Sequence, residues 1–234
     1  MIMRLYIAVN NYCNILCLLM CHHLDSVFSL SHVHPRAIVD EAAQKVTMPS
    51  IHRVLANDWD VHNPDRCIAL IEAIGVVYPP SVAEGLIDLM VQPKIAAAVK
   101  AWAPTKDPLP IHVWMHPWLP LMRSKLAPYY PEIRRKLAQA LSSWQPEDLS
   151  ALSVIRPWRE IFDRDSMDKF LTRVIVPKLV VTLRGLQINP QNQDITAFNS
   201  VMAWRGVVAD VHIISLFRGE FFSKWLRWVK TTRQ

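Results

Sequence analysis

The sequence predicts an all-α chain, organised as an irregular, α-solenoid-like array of helix pairs with a period of about 38–46 residues. Three observations carry this. The pattern Pro-x-Ile/Leu recurs as Pro49-Ser50-Ile51, Pro93-Lys94-Ile95, Pro131-Glu132-Ile133 and Pro177-Lys178-Leu179, at separations of 44, 38 and 46 residues. A second series, Trp118, Trp158 and Trp204, is spaced 40 and 46 residues apart. Finally, 17 prolines stand beside only 5 glycines, a composition that punctuates helices and supplies few of the tight turns a β-sandwich needs.

The amino-terminal segment, residues 1–45, is separated from the helical domain at 46–234. It is largely apolar, with Arg4 near its start and Cys13, Cys17 and Cys21 at i, i+4 spacing. Asn10, Asn11 and Asn14 interrupt the apolar run, and no clean small-x-small cleavage site follows. The run is also shorter than the roughly 20 apolar residues of a membrane span. It is read as a poorly ordered or extraneous helix, with a packed native helix and a targeting or membrane segment as the alternatives. Cys21, His22, His23, His32 and His34 match no standard metal frame.

Each Pro-x-Ile/Leu reads as a helix start, because proline in the first turn has the required φ and its missing amide would have had no intrahelical acceptor there. Apolar residues then follow at helical spacing and face a core: Ile51 with Leu55; Ile95 with Val99 and Trp102; Ile133 with Leu137 and Leu141; Leu179 with Leu183 and Leu186. Three of these helices stop at Trp102-Ala103-Pro104, Trp144-Gln145-Pro146 and Ile188-Asn189-Pro190. Between them lie the helices that carry Trp118, Trp158 and Trp204, whose indoles are expected to be core anchors, as are Trp102 and Trp144. Phe221-Phe222-Ser223-Lys224-Trp225-Leu226 looks like a fifth start with Ser223 in the proline's place, 46 residues after Pro177. That helix lacks a partner, so the array reads as truncated, and Trp225 and Trp228 become candidates for an exposed, adhesive surface.

Composition narrows the functional classes. Apolar residues make up 51% of the 234, enough for a substantial core. The formal charge of +6 fits a ribonucleoprotein setting without establishing RNA contact. Four cysteines without a paired CxxC frame indicate a reducing compartment and no structural disulfides. Walker loops, GxSxG elbows and HExxH helices are absent from the sequence, and no cofactor is expected. Asp58, Asp60 and His62, grouped around Trp59, read as a solvated loop rather than an acid–base site. His112 and His116 are i, i+4 neighbours, but Pro117 interrupts the helix and no acidic ligand is near, so structural or capping roles are expected.

Basic residues form three runs. Arg123, Lys125, Arg134, Arg135 and Lys136 are opposed only by Glu132; Arg156, Arg159, Arg164, Lys169, Arg173, Lys178 and Arg184 are diluted by acids; Arg218, Lys224, Arg227, Lys230 and Arg233 close the chain. A solvated polar face explains such runs, and contact with RNA backbone or an acidic protein is the competing reading, assigned chiefly to Arg123, Lys125, Arg134, Arg135 and Lys136.

The most specific stretch is Pro110-Ile111-His112-Val113-Trp114-Met115-His116-Pro117-Trp118-Leu119-Pro120-Leu121-Met122. It resembles the signature of the helical domain, labelled GC-rich-sequence DNA-binding-factor-like, of the tuftelin-interacting protein family of pre-mRNA splicing factors. Pro157-Trp158-Arg159, Val176-Pro177-Lys178-Leu179 and Phe221-Phe222-Ser223-Lys224-Trp225-Leu226 follow in the family's order, so the resemblance runs over about residues 46–230. It marks His112, Trp114, His116, Pro117, Trp118, Pro157, Trp158, Pro177 and Trp225 as signature positions with structural or interaction roles.

The resemblance implies a nuclear, non-enzymatic splicing factor acting in spliceosome disassembly and intron-lariat release. Its partners would be spliceosomal proteins, with a DEAH-box RNA helicase engaged through a glycine-rich G-patch in the full-length family. This chain has no such glycine-rich segment, so only the scaffold part of that activity carries over. No sequence feature supports DNA reading, and no membrane partner is expected.

Overall fold

A computed structural model describes residues 45, 48–189 and 191–232; the apolar amino-terminal run, its cysteines and histidines, Pro190 and Arg233 lie outside the described residues. Every regular element is helical, and the described residues contain no β-strand, only an isolated bridge between Arg205 and Val208. The described residues divide into two compact units, one holding those up to Ala98 together with Trp114–Lys125, the other holding Val99–Val113 and those from Leu126 onward.

In the first unit, helix α1 covers 48–58, its end Val54–Asp58 wound as a π-helix. Helix α2 is Asp65–Val77 and α3 is Pro80–Leu86. A π-helical turn, Ile87–Val91, then leads without a break into α4, Gln92–Ala101, whose last three residues belong to the second unit. Pro93 therefore restarts an α-helical ladder inside a continuous rod, where the sequence reading opened a separate helix. Proline cannot donate the i→i−4 bond, and the wider π turn falls where the ladder would otherwise carry an unfilled position. Leu55, Val91 and Ile95 are fully buried, and the end of α1 packs on the π turn.

Helices α5 (Ile111–Met115) and α6 (Leu119–Leu126) flank the 3-10 turn His116–Trp118. Helix α7 is Tyr130–Ala140 and α8 is Ser150–Ile155, the latter continued by the 3-10 turn Arg156–Trp158. Helices α9 (Arg164–Val174), α10 (Val176–Gly185) and α11 (Thr196–Met202) follow, then α12, Asp210–Leu216. A second π turn, Phe217–Phe222, joins α12 to α13, Ser223–Thr232. In α7 and α10 the helix opens one residue before Pro131 and Pro177, so each proline occupies the second position of the first turn. Helix α10 is the best covered of the second unit, packed by α9, α11, α12 and the π turn, and its Leu179 and Leu183 are completely buried.

Within each unit, lysines reach back to the carbonyls at the end of an earlier helix. The Lys136 ammonium donates to the carbonyls of Val99, Lys100 and Trp102 at 3.0, 2.6 and 2.6 Å, closing the carboxyl end of α4. Lys178 donates to Ser142 O at 2.7 Å and to Trp144 O, past the end of α7. Lys224 donates to Leu183 O and Leu186 O at 3.1 and 2.9 Å, and to Arg184 O, at the end of α10. Lys94 does the same for α1, reaching Ala56 O at 2.6 Å and Trp59 O at 3.5 Å.

The last four carbonyls of a helix have no intrahelical donor and carry the negative end of its dipole, so a cation that reaches them satisfies both. Three of these lysines directly follow Pro93, Pro177 and Ser223. In α7 that position is Glu132, and the ammonium comes from Lys136 one helical turn later on the same face.

Asp163 caps α9 by accepting from Ser166 N at 2.8 Å, while Asp148 and Asp194 accept from Ser150 N and Thr196 N just ahead of α8 and α11. The Ser166 amide chiefly holds Asp163 below the usual carboxylate range, the Ser150 amide does so for Asp148, and hydrogen bonds from Thr196 do so for Asp194. A depressed folded pKa stabilises the fold above the unfolded value near 4, and that contribution is lost as pH falls through the folded value. The melting temperature should therefore drop between about pH 5 and pH 3, and less so in Asp163→Asn, which still caps but does not titrate. Identical slopes in the two proteins would refute this account.

Candidate functional site

The signature folds as two short helices around a tight turn. Trp114 at the end of α5 and Trp118 at the end of the 3-10 turn are both fully buried, as are Ile111 and Met115. Pro117 sits second in that turn, where its fixed φ suits a 3-10 geometry, and Met122 (φ −143°, ψ 35°) then kinks α6. Trp118 meets Trp59 edge to face at 5.5 Å, and His62 meets Trp114 in the same way at 5.5 Å. Asp60 accepts the His62 amide at 3.0 Å and lies 3.1 Å from its Nδ1, so this grouping orients a loop side chain against an indole. His112 is half-buried, and burial lowers its pKa, favouring the neutral ring.

The second unit repeats the turn. Pro157 is second in Arg156–Trp158, and Trp158 is fully buried, stacked on Phe162 at 4.7 Å and edge-on to Tyr130 at 6.2 Å. Trp204 is fully buried in the turn after α11 and meets Trp144 edge-on at 5.4 Å. The three tryptophans of this series thus lie just past short helices, where the sequence reading placed them within helices. Lys94 lies 5.4 Å from the Trp59 ring and Lys178 5.9 Å from the Trp144 ring, so a carbonyl-binding ammonium also faces an indole in each unit. Pro177 is exposed at the start of α10, and Trp225 is 44% exposed on α13.

The basic residues singled out from the sequence occupy distinct settings. Arg123 is exposed on α6, and Lys125 pairs with Asp88. Arg134 lies over the Phe162 ring at 5.0 Å, Arg135 makes a two-pronged contact with Glu132 at 2.8 and 2.7 Å, and Lys136 closes α4. Glu132 is accordingly held below, and Arg135 above, its usual pKa, by their mutual hydrogen bond first.

The described residues hold no group of three or more His, Cys, Asp or Glu that could bind a metal, and none of their helices is long and apolar enough to cross a membrane. Cys67 is a free, buried thiol, and burial pushes its pKa up to about 12, which keeps it protonated and unreactive.

Short helices joined by Pro-Trp turns, with their polar side chains engaged in helix ends and ring contacts, define an all-α helical module. The family model described as GC-rich sequence DNA-binding factor-like protein matches residues 39–229, and the chain belongs to that family. Among curated relatives it is similar to tuftelin-interacting protein 11 of Bos taurus, at 38% identity over 183 residues that cover 78% of this chain and 22% of the relative. The same protein of Rattus norvegicus is 37% identical over the same shares, and that of Gallus gallus 36%. The chain thus spans 22% of the length of these relatives.

Proposed function

We propose that this chain is a non-catalytic scaffold module of a nuclear pre-mRNA splicing factor, working through protein contacts in spliceosome disassembly and intron-lariat release. The observation that carries the reading is the signature itself. Trp114, Trp118 and Trp158 are consumed by the core, and the basic run around α7 is largely engaged within the chain, so a shaped helical surface is the feature that supports a scaffold role.

Purified chain immobilised as bait should retain spliceosomal proteins from nuclear extract as salt is raised from about 0.1 to 0.5 M, a range that screens exposed charges. A binder of RNA backbone would instead show RNA affinity tighter than ordinary non-specific binding, falling steeply with salt. That second result, together with loss of the proteins, would replace the scaffold reading.

Helicase stimulation in the family is assigned to the glycine-rich G-patch, and this chain has 5 glycines in all. The RNA-dependent ATPase rate of a DEAH-box helicase should be unchanged when this chain is added. A several-fold stimulation would assign the helical module an activity that this proposal denies it.

A further inference from the structure

Helix α13 belongs to the same series as α4, α7 and α10, because its Lys224 closes the preceding helix of the series as Lys136 and Lys178 do. In the earlier members the apolar residue two places after the proline is completely covered: Ile95, Ile133 and Leu179 are all 0% exposed. Its counterpart in α13, Trp225, is 44% exposed, with Phe222 at 49% and Leu226 at 50% beside it. Phe222, Trp225, Leu226 and Val229 fall at i, i+3, i+4 and i+7, the stripe a helix ordinarily buries against another helix.

The rim of this stripe has one sign of charge. Arg218, about one turn before Phe222, and Lys230, one turn after Leu226, are exposed, and α13 itself carries no acidic residue. The nearest acid in the sequence, Glu220 in the preceding π turn, is already bound by Arg184 at 2.8 Å.

We propose that the α13 stripe is a docking seat for an acidic amphipathic helix of a partner protein. The helix would lay its own apolar face on Phe222, Trp225 and Leu226 and set carboxylates against Arg218 and Lys230. Aliphatic and aromatic residues at helical spacing suit a helix in a groove, which is read through i, i+3, i+4 and i+7 anchors. A nucleic acid would use stacking rings along a basic track and gain little from Leu226. The unopposed rim charge selects against a second copy of this surface, whose cations would face each other. The inference deepens the scaffold reading by naming the partner chemistry of one surface.

The test uses the full chain and a labelled peptide of about 18 residues, long enough for five turns, built from leucine on one face and glutamate on the other. A companion peptide carries lysine in place of glutamate, and a single-stranded RNA of similar length serves as the nucleic-acid probe. Expected are fluorescence-anisotropy binding of the glutamate peptide with a Kd of about 1–10 μM, and at least about tenfold weakening both by Leu226→Glu and by the pair Arg218→Glu and Lys230→Glu. The charge-reversed pair should also gain affinity for the lysine peptide, a change that a merely unfolded variant would not show.

Absence of glutamate-peptide binding, equal binding of both peptides, insensitivity to the two variants, or binding of RNA alone would each overturn the inference. Failure here with spliceosomal proteins still retained from extract would leave the scaffold reading standing. Peptide binding without such retention would do the opposite.

Discussion

Replacing Trp158 with alanine is expected to lower the unfolding free energy by about 3–5 kcal/mol, the range for truncating a large aromatic in a packed core. Trp158 has no exposed surface, stacks on Phe162 at an interplanar angle of 22° and touches Tyr130, so the vacated volume is walled by other rings. Those rings are themselves held: Phe162 lies under the Arg134 guanidinium and meets Tyr130 at 5.5 Å. Partial relaxation is therefore difficult, and the cost should fall at the upper end.

Trp118→Ala should behave alike in the first unit, where Trp118 is fully buried against Trp59. Among the described residues the indole nitrogens of Trp102, Trp114, Trp118 and Trp204 have no hydrogen-bond acceptor, so these side chains stabilise through area and ring packing rather than polar contact. Phenylalanine at position 118 should consequently recover more than half of the alanine loss. Urea denaturation followed by far-UV circular dichroism measures all three variants. A loss below about 1 kcal/mol for Trp158→Ala would contradict a core role and move the residue to a surface.

Periodicity made the helical class and the starts at Pro131 and Pro177 legible, because both depend on local rules. Proline in a first turn and apolar residues at i and i+4 say the same thing wherever the chain goes next. The burial of Trp102, Trp118, Trp144, Trp158 and Trp204 was legible too, since residues of that size recurring in phase have few other uses.

What the sequence hid was continuity and partnership. Pro93 and Ser223 look like new helices, yet each continues a rod through a π turn, and a single added residue per turn leaves no compositional trace. Net charge along the basic run cannot tell a solvated ammonium from one aimed at helix carbonyls about 35 residues earlier. A signal did exist: Lys94, Lys136 and Lys178 are spaced 42 and 42 residues apart, in phase with the helices they serve. Trp225 stands apart for the opposite reason. It keeps the register of a core position, but burial depends on what covers a helix, and the stripe alone does not specify the cover.

Lys136→Met is expected to cost about 2 kcal/mol, whereas Lys125→Met, eleven residues earlier in the same basic run, should cost less than about 1 kcal/mol. The two lysines differ only in what they reach. Lys125 pairs with Asp88, whose side chain is 51% exposed, and such a pair gains little over hydration of its separate ions. The Lys136 ammonium places three donors on the carbonyls of Val99, Lys100 and Trp102, the last of these contacts and that to Val99 being partly buried. Methionine keeps the apolar stem and its packing but leaves those oxygens facing the negative end of α4 without a cation.

Lys136→Glu should cost more than Lys136→Met, because it sets like charge against that helix end, and Lys136→Arg should recover part of the loss. The order Glu, Met, Arg, wild type in rising stability is the discriminating result, read from denaturation midpoints in low salt. If Lys136→Met is no more damaging than Lys125→Met, the helix-end account of this lysine series fails, and Lys136 returns to the set of free cations available to RNA or an acidic partner.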